Sequence, residues 1–93
     1  MYTKFGQFIE GKWQASEKNE TYEVINPATE EIIGNVSKAS QIDVEKALKS
    51  AEKGFEIWKK TPSWQRSYII RKIADLMRKK SEVLAKWLTL EVG

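Results

Sequence analysis

The side chains able to do covalent or acid–base chemistry are few. The chain has 93 residues with no cysteine and no histidine, which removes the thiolate, the imidazole general base and the commonest soft-metal ligands at one stroke. Carboxylates remain. Glu30 and Glu31 could serve as an acid and a base, but neighbouring residues on a turn diverge, and ordinary exposed charge is the expected state for both. The glycines stand at positions 6, 11, 34, 54 and 93 and never cluster, so the glycine-rich strand-to-helix turn that cradles a dinucleotide has no counterpart. Lys59-Lys60, Arg71-Lys72 and Arg78-Lys79-Lys80 could face phosphates. Acids interleave with them, no RNA-binding motif or zinc finger accompanies them, and they read as solvated helix faces; no nucleic-acid partner is expected. Trp13, Trp58, Trp64 and Trp87 could line a ligand surface, but Phe55, Trp58 and Trp87 fall on helical stripes and are expected to be core.

The elements that would position such residues follow from pattern. Gln7-Phe8-Ile9-Glu10-Gly11-Lys12-Trp13 reads as a short hairpin turning at Glu-Gly-Lys. Ser16 to Glu20 is a polar loop. Thr21-Tyr22-Glu23-Val24-Ile25 is a strand ended by Asn26-Pro27, because proline fixes φ, donates no hydrogen bond and restricts the residue before it. Ala28 to Glu31 completes the turn and Ile32-Ile33-Gly34-Asn35-Val36 returns. Two such strands are not stable in water without a partner surface.

Ser40 is placed to cap a helix, with Asp43 reaching back as in a capping box. Val44, Ala47, Leu48, Ala51, Phe55 and Trp58 then make one stripe at spacings of three and four. Gly54 inside it costs about 1 kcal/mol of helix propensity and fits either close packing or an open surface. Thr61-Pro62-Ser63 breaks the chain, and a second helix begins near Ser63. Its stripe of Ile69, Ile70, Ile73, Leu76 and Met77 fails at Arg78-Lys79-Lys80 and resumes at Val83, Leu84, Trp87 and Leu88. Two consecutive helices, the second opening at Ser81-Glu82, fit this better than one of about 42 Å.

Phe8-Ile9-Glu10-Gly11-Lys12-Trp13, Ile25-Asn26-Pro27-Ala28-Thr29, Ile33-Gly34-Asn35-Val36, the helix residues Arg66, Ile70, Ile73-Ala74-Asp75-Leu76 and Leu84-Ala85, and finally Thr89-Leu90-Glu91-Val92-Gly93 together resemble the opening segment of the aldehyde dehydrogenase superfamily. Weak singly, these matches in series, in order and spacing, make a specific signal. The resemblance implies an α/β enzyme, α+β over this stretch: N-terminal hairpin strands within residues 1–36, a helix over 40–60 and one broken or two consecutive helices over 63–91, all within the family's cofactor-binding domain. It implies NAD- or NADP-dependent oxidation of an aldehyde, semialdehydes included, to a carboxylic acid by chains several times longer. It also implies that the nucleophilic cysteine, the general-base glutamate, the asparagine oxyanion donor and the phosphate-contacting glycines lie downstream of Gly93. No catalytic or cofactor-binding residue is therefore expected here, and this chain alone should hold no cofactor. One site carries over: the backbone carbonyls of Val24 and Ile25, as part of a monovalent-cation site. The implied partners are the remainder of an aldehyde dehydrogenase chain and, for the whole protein, further copies of itself.

Composition bounds the rest. Hydrophobic residues at 41% and charged at 31% describe a folding chain with a core rather than a disordered one. Residues 1–34 hold three lysines against six glutamates, and the remainder thirteen basic residues against seven acids, so the overall net charge of +3 hides an acidic first part and a basic second one. No run approaches the length of a membrane span, Met1-Tyr2-Thr3-Lys4-Phe5-Gly6 lacks a signal-peptide core, and a cytoplasmic address with no membrane partner is expected. The competing reading is a small helical module that binds a protein through its amphipathic face, without enzymatic activity.

Overall fold

The protein is described by a computed structural model covering residues 6–93; the first five positions of the expected strand-and-turn segment lie outside the described residues. Two antiparallel strand pairs precede three helices. β1 (Gln7–Ile9) pairs with β2 (Lys12–Gln14), and β3 (Thr21–Ile25) with β4 (Ile32–Ser37). α1 spans Gln41–Lys59, α2 Ser63–Lys79 and α3 Ser81–Val92. The expected α+β order is observed, including the break near Lys80.

Each turn has a local cause. Between β1 and β2, Glu10 and Gly11 both have positive φ, 55° and 76°, the signature of a two-residue hairpin turn whose twist matches the strands. Phe8 lies opposite Trp13, with ring centroids 5.1 Å apart and planes tilted by 56°, the edge-to-face type of geometry that aromatic quadrupoles favour. Between β3 and β4, the Asn26 amide donates to the Glu31 carbonyl at 2.9 Å and the Glu30 amide donates to the Asn26 carbonyl at 2.8 Å. The Asn26 side-chain oxygen accepts from the Ala28 amide at 2.9 Å, an Asx turn. The register then slips by one residue between Val24 and Ile25, which pair with Gly34 and Ile32, a β-bulge that leaves Ile33 without a direct partner.

α1 begins at a complete capping box. Ser40 Oγ accepts from the Asp43 amide at 3.2 Å and the Asp43 carboxylate accepts from the Ser40 amide at 2.9 Å. The same carboxylate also accepts from the Glu17 amide, at 3.2 and 3.1 Å to its two oxygens. One acid thus caps the helix and pins the loop that follows the first hairpin. Ser16 in that loop is nearly buried and closes it by accepting from the Glu20 amide at 3.0 Å. The Lys38 amide in turn donates to the Glu20 carbonyl at 2.8 Å, joining the end of β4 to the start of β3. At the other end of α1, Thr61 turns the chain by donating from its hydroxyl to the Ile57 carbonyl at 2.9 Å, and Pro62 opens α2 with its carbonyl accepting from Gln65 and Arg66. α2 and α3 meet at Lys80, whose φ and ψ of −102° and 15° interrupt the helical geometry.

The expected core does not form within this chain. Ile9 is the one buried hydrophobic residue among those described. Phe55 is 61% exposed, Trp64 73% and Leu88 65%, and Trp58, expected in the core, is also exposed. The stripes are where periodicity puts them; nothing in the chain lies against them. The principal extents of 47 × 34 × 17 Å show why. With a radius of gyration of 16.5 Å against about 12 Å for a globule of this length, a body this flat has little interior in which to bury a core. The helical glycine at position 54 has nothing within 4 Å of where a Cβ would stand, so open surface, not close packing, surrounds it.

Asp43 is 2% exposed, and its pKa is lowered from 3.8 to about 2. The Ser40 amide is the largest cause; burial opposes it, and the Glu17 amide, the Gln7 side chain and the Ser40 hydroxyl add to the lowering. A carboxyl whose folded pKa is depressed contributes stability that is complete above its unfolded value and is lost as pH falls through the folded one. The clasp between α1 and the Glu17 loop is therefore expected to hold above pH 4 and to fail between about pH 3.8 and 2. The Glu17 and Ser40 amide signals followed by NMR through an acid titration should move together over that range, and Asp43→Asn should remove the transition. Ser40→Ala should weaken the first turn of α1 by about 1 kcal/mol, read as faster amide exchange at its N-terminus. Gly6→Ala should be more disruptive locally, because its Cβ would collide with the backbone carbonyl of Gln14; overpacking of that kind costs about 1–3 kcal/mol, and loss of the Phe8–Trp13 ring contact by NMR would report it.

Candidate functional site

The residues with chemical potential do not converge. Glu30 and Glu31 sit at the end of the Asn-Pro turn, both exposed. Glu30 has a left-handed φ of 62°, while the Glu31 carboxylate accepts from Thr29 Oγ1 at 3.4 Å. A turn anchor and a surface charge do not make an acid–base pair facing a common point. No group of three or more metal-capable side chains exists among the described residues.

The basic runs are partly matched by acids on their own helices. Lys59 pairs with Glu56 at 2.9 Å and Arg78 with Asp75 at 2.9 Å, each three residues apart. Lys53 reaches Glu10 of the first hairpin at 3.3 Å. These are exposed pairs of small energetic weight, and they show the charged side chains engaged along the helix surfaces. The five glycines occupy separate places: beside β2 at Gly6, in the hairpin turn at Gly11, within β4 at Gly34, in α1 at Gly54 and after α3 at Gly93. They do not come together in a glycine-rich strand-to-helix turn among the described residues.

Val24 and Ile25 lie at the C-terminal end of β3, opposite the bulge. Two neutral carbonyl oxygens there are far short of the roughly six that a hard cation takes, and the described residues add no acidic cluster.

What the structure does bring together is the Asn-Pro turn and the end of α3. Gly93 has a φ of 86°, and a Cβ on it would stand 3.0 Å from Pro27 Cγ and 3.5 Å from the Ala28 amide nitrogen. The Gly93 amide donates to the Thr89 carbonyl at 2.9 Å, closing α3 in the left-handed manner typical of glycine-terminated helices. The second strand ribbon's turn and the last helix thus meet, Ala28 and Gly93 lying 65 residues apart in sequence.

Two apolar grooves accompany this frame. One, of about 450 Å³, lies between β1 and α1, floored by Ala47 and Ala51 and walled by Phe8, Val44 and Leu48. The other, of about 300 Å³, lies on the α2–α3 junction among Met77, Leu84, Trp87 and Leu88, with Glu91 at its edge. The first is also lined by Gln7 and Asp43, the Asp43 carboxylate being engaged by the Ser40 and Glu17 amides. Arg66 Nε is buried without a hydrogen-bond partner, although the rest of its side chain is partly exposed.

Comparison with known proteins accounts for this arrangement of positioned elements without chemistry. The profile of the aldehyde dehydrogenase family matches residues 13–93. The NADP-dependent succinate-semialdehyde dehydrogenase 2 of Schizosaccharomyces pombe is 42% identical over 86 residues, covering 92% of this chain and 17% of its own length. Among solved structures, an aldehyde dehydrogenase from Bartonella henselae superposes with a TM-score of 0.91 at 32% identity, covering 97% of this chain and 19% of that one. A point mutant of betaine aldehyde dehydrogenase from Staphylococcus aureus, solved with NAD+, superposes with a TM-score of 0.88 at 33% identity, covering 95% and 18%. The chain spans less than a fifth of the length of these relatives. It follows the relatives' backbone through both strand ribbons and all three helices, and it belongs to the aldehyde dehydrogenase family.

Proposed function

We propose that this chain is the N-terminal part of an NAD- or NADP-dependent aldehyde dehydrogenase of the cytoplasm, where it forms the outer portion of the cofactor-binding domain and braces it. The observation that carries this reading is the pairing of near-complete family coverage on this side, residues 13–93, with coverage of only 17–19% on the relatives' side. The absence of cysteine supports the same division of labour, since attack on an aldehyde carbonyl by a thiolate needs a sulfur that must come from elsewhere in the enzyme. The nicotinamide, when bound by the whole enzyme, supplies the hydride acceptor. This chain's own residues orient rather than react: Asp43 locks α1 to the first hairpin, and Gly93 seats α3 against Pro27. Val24 and Ile25 would contribute two carbonyl oxygens to a monovalent-cation shell completed by the rest of the protein, which would assemble as a homo-oligomer. A semialdehyde is the favoured substrate class, because the S. pombe relative is named for one.

Two measurements test the reading. The purified chain alone should give no reduction of NAD+ or NADP+ with succinate semialdehyde or betaine aldehyde above a buffer blank, and turnover by it would overturn the proposal. A chimera in which residues 8–93 replace the matching segment of the S. pombe enzyme should retain NADP-dependent turnover. A soluble, correctly assembled chimera without activity would count against the assignment.

A further inference from the structure

The two sides of α1 differ in chemistry. At about 100° per residue, the apolar stripe of Val44, Ala47, Leu48, Ala51, Phe55 and Trp58 points one way, and Lys46, Lys49 and Lys53 point about 180° from it. A layer laid over the stripe leaves these lysines in solvent. They are not scattered: with Ser50 they form one wall of a pocket of about 290 Å³, and Ile9, Glu10 and Gln14 of the first hairpin form the other. The hairpin wall is fixed by its own hydrogen bonds, since Gln14 Nε2 donates to the Ile9 carbonyl at 3.1 Å. Lys53 Nζ reaches across to the Glu10 carboxylate at 3.3 Å. Lys46 and Lys49 have no carboxylate within ion-pair distance among the described residues, and Glu45 and Glu52 of the same helix line no part of the pocket. The lining therefore sets three lysines against one glutamate.

We infer that this pocket between the first hairpin and the outer face of α1 binds a small doubly charged anion, a phosphate group or a dicarboxylate, with Lys46, Lys49 and Lys53 as its cationic contacts. Three ammonium groups around one concavity repel one another and raise the local potential, and a dianion that bridges them relieves that repulsion. An ammonium offers three donors and no acceptor, so the complementary group is acceptor-only, as carboxylate and phosphate oxygens are. A single halide ion neutralises one lysine without bridging to the next. The volume lies near the lower limit of small-ligand clefts and suits a group of a few heavy atoms. Glu10 sets a threshold for entry. Its carboxylate already engages Lys53 and repels an incoming anion, so the occupant must gain from Lys46 and Lys49 what it loses to Glu10.

The test is an NMR titration of the purified chain with inorganic phosphate, with malonate, and with sodium chloride at matched ionic strength. The expected result is a saturable shift of the Glu10, Lys49 and Ser50 backbone amides with phosphate or malonate that chloride does not reproduce. A response to phosphate alone identifies a phosphate group as the occupant, and a response to malonate alone a dicarboxylate. Lys46→Gln and Lys49→Gln should each weaken binding about two- to fivefold, as loss of an exposed charged contact does. Glu10→Gln removes the competing carboxylate and should tighten binding by a similar factor, whereas Lys86→Gln on α3 should leave it unchanged. The chimera carrying residues 8–93 gives a second measurement that does not depend on the chain's stability alone. Phosphate or malonate should raise its Tm more than that of its Lys46→Gln/Lys49→Gln double variant, a difference that the general salting-out effect of these anions, equal in both proteins, cannot produce. A response in either protein that the lysine variants diminish supports the site. Shifts no larger than those with chloride, together with equal Tm increases in the chimera and its double variant, would overturn it, as would weaker binding by Glu10→Gln.

Discussion

Every element of this chain depends on one constraint: an amphipathic element must bury its apolar side, and the chain supplies only half of each pair of surfaces. Ile9 alone among the described hydrophobic residues is buried, and it is buried where β1 lies near α1. Elsewhere the stripes on α1, α2 and α3 are formed correctly and face outward. Local interactions therefore carry the geometry. Capping, Asx and left-handed glycine contacts set where each element begins and ends, and each contributes on the order of 1 kcal/mol, enough to bias a conformation but small beside the entropy of ordering a domain.

Asp43 shows how these local terms add to something larger. As the third residue of α1 it would be an ordinary capping acid, and its position in the sequence says no more than that. In the fold it also accepts from the amide of Glu17, 26 residues earlier, so a single carboxylate ties the loop after the first hairpin to the start of α1. Gly93 plays the matching part at the other end by letting α3 approach Pro27. These two contacts define a frame onto which a second layer can be laid. They do not replace that layer.

Features encoded by neighbours in sequence were readable from it. The hairpin at Glu10-Gly11, the Asn26-Pro27 turn, the Ser40–Asp43 box and the break at Lys80 each depend on residues within a few positions of one another, and each appears as expected. Features that depend on distant or absent chain were not. Nothing in the pattern around Ser16 or Glu17 signals a tie to Asp43, because a polar loop residue looks the same whether its amide meets water or a carboxylate. The expectation that Phe55 and Trp58 lie in a core failed for a related reason: periodicity identifies which face is apolar, but the identity of the covering surface is information the stripe does not contain. The candidate site followed the same rule. The lack of cysteine and histidine and the scatter of glycines are legible in the composition, whereas the meeting of the Asn-Pro turn with Gly93 required the fold.

The claim that the stabilising surface lies outside this chain can be tested most directly by calorimetry of the purified protein. A complete domain of this length unfolds with a heat-capacity increase of about 1.1–1.4 kcal/mol/K in a single cooperative transition. The account predicts a broad, weakly cooperative transition with a much smaller heat-capacity change, because the apolar area exposed by unfolding is already largely in water. A sharp two-state transition with the full increment, from a protein shown to be monomeric at the concentration used, would contradict it.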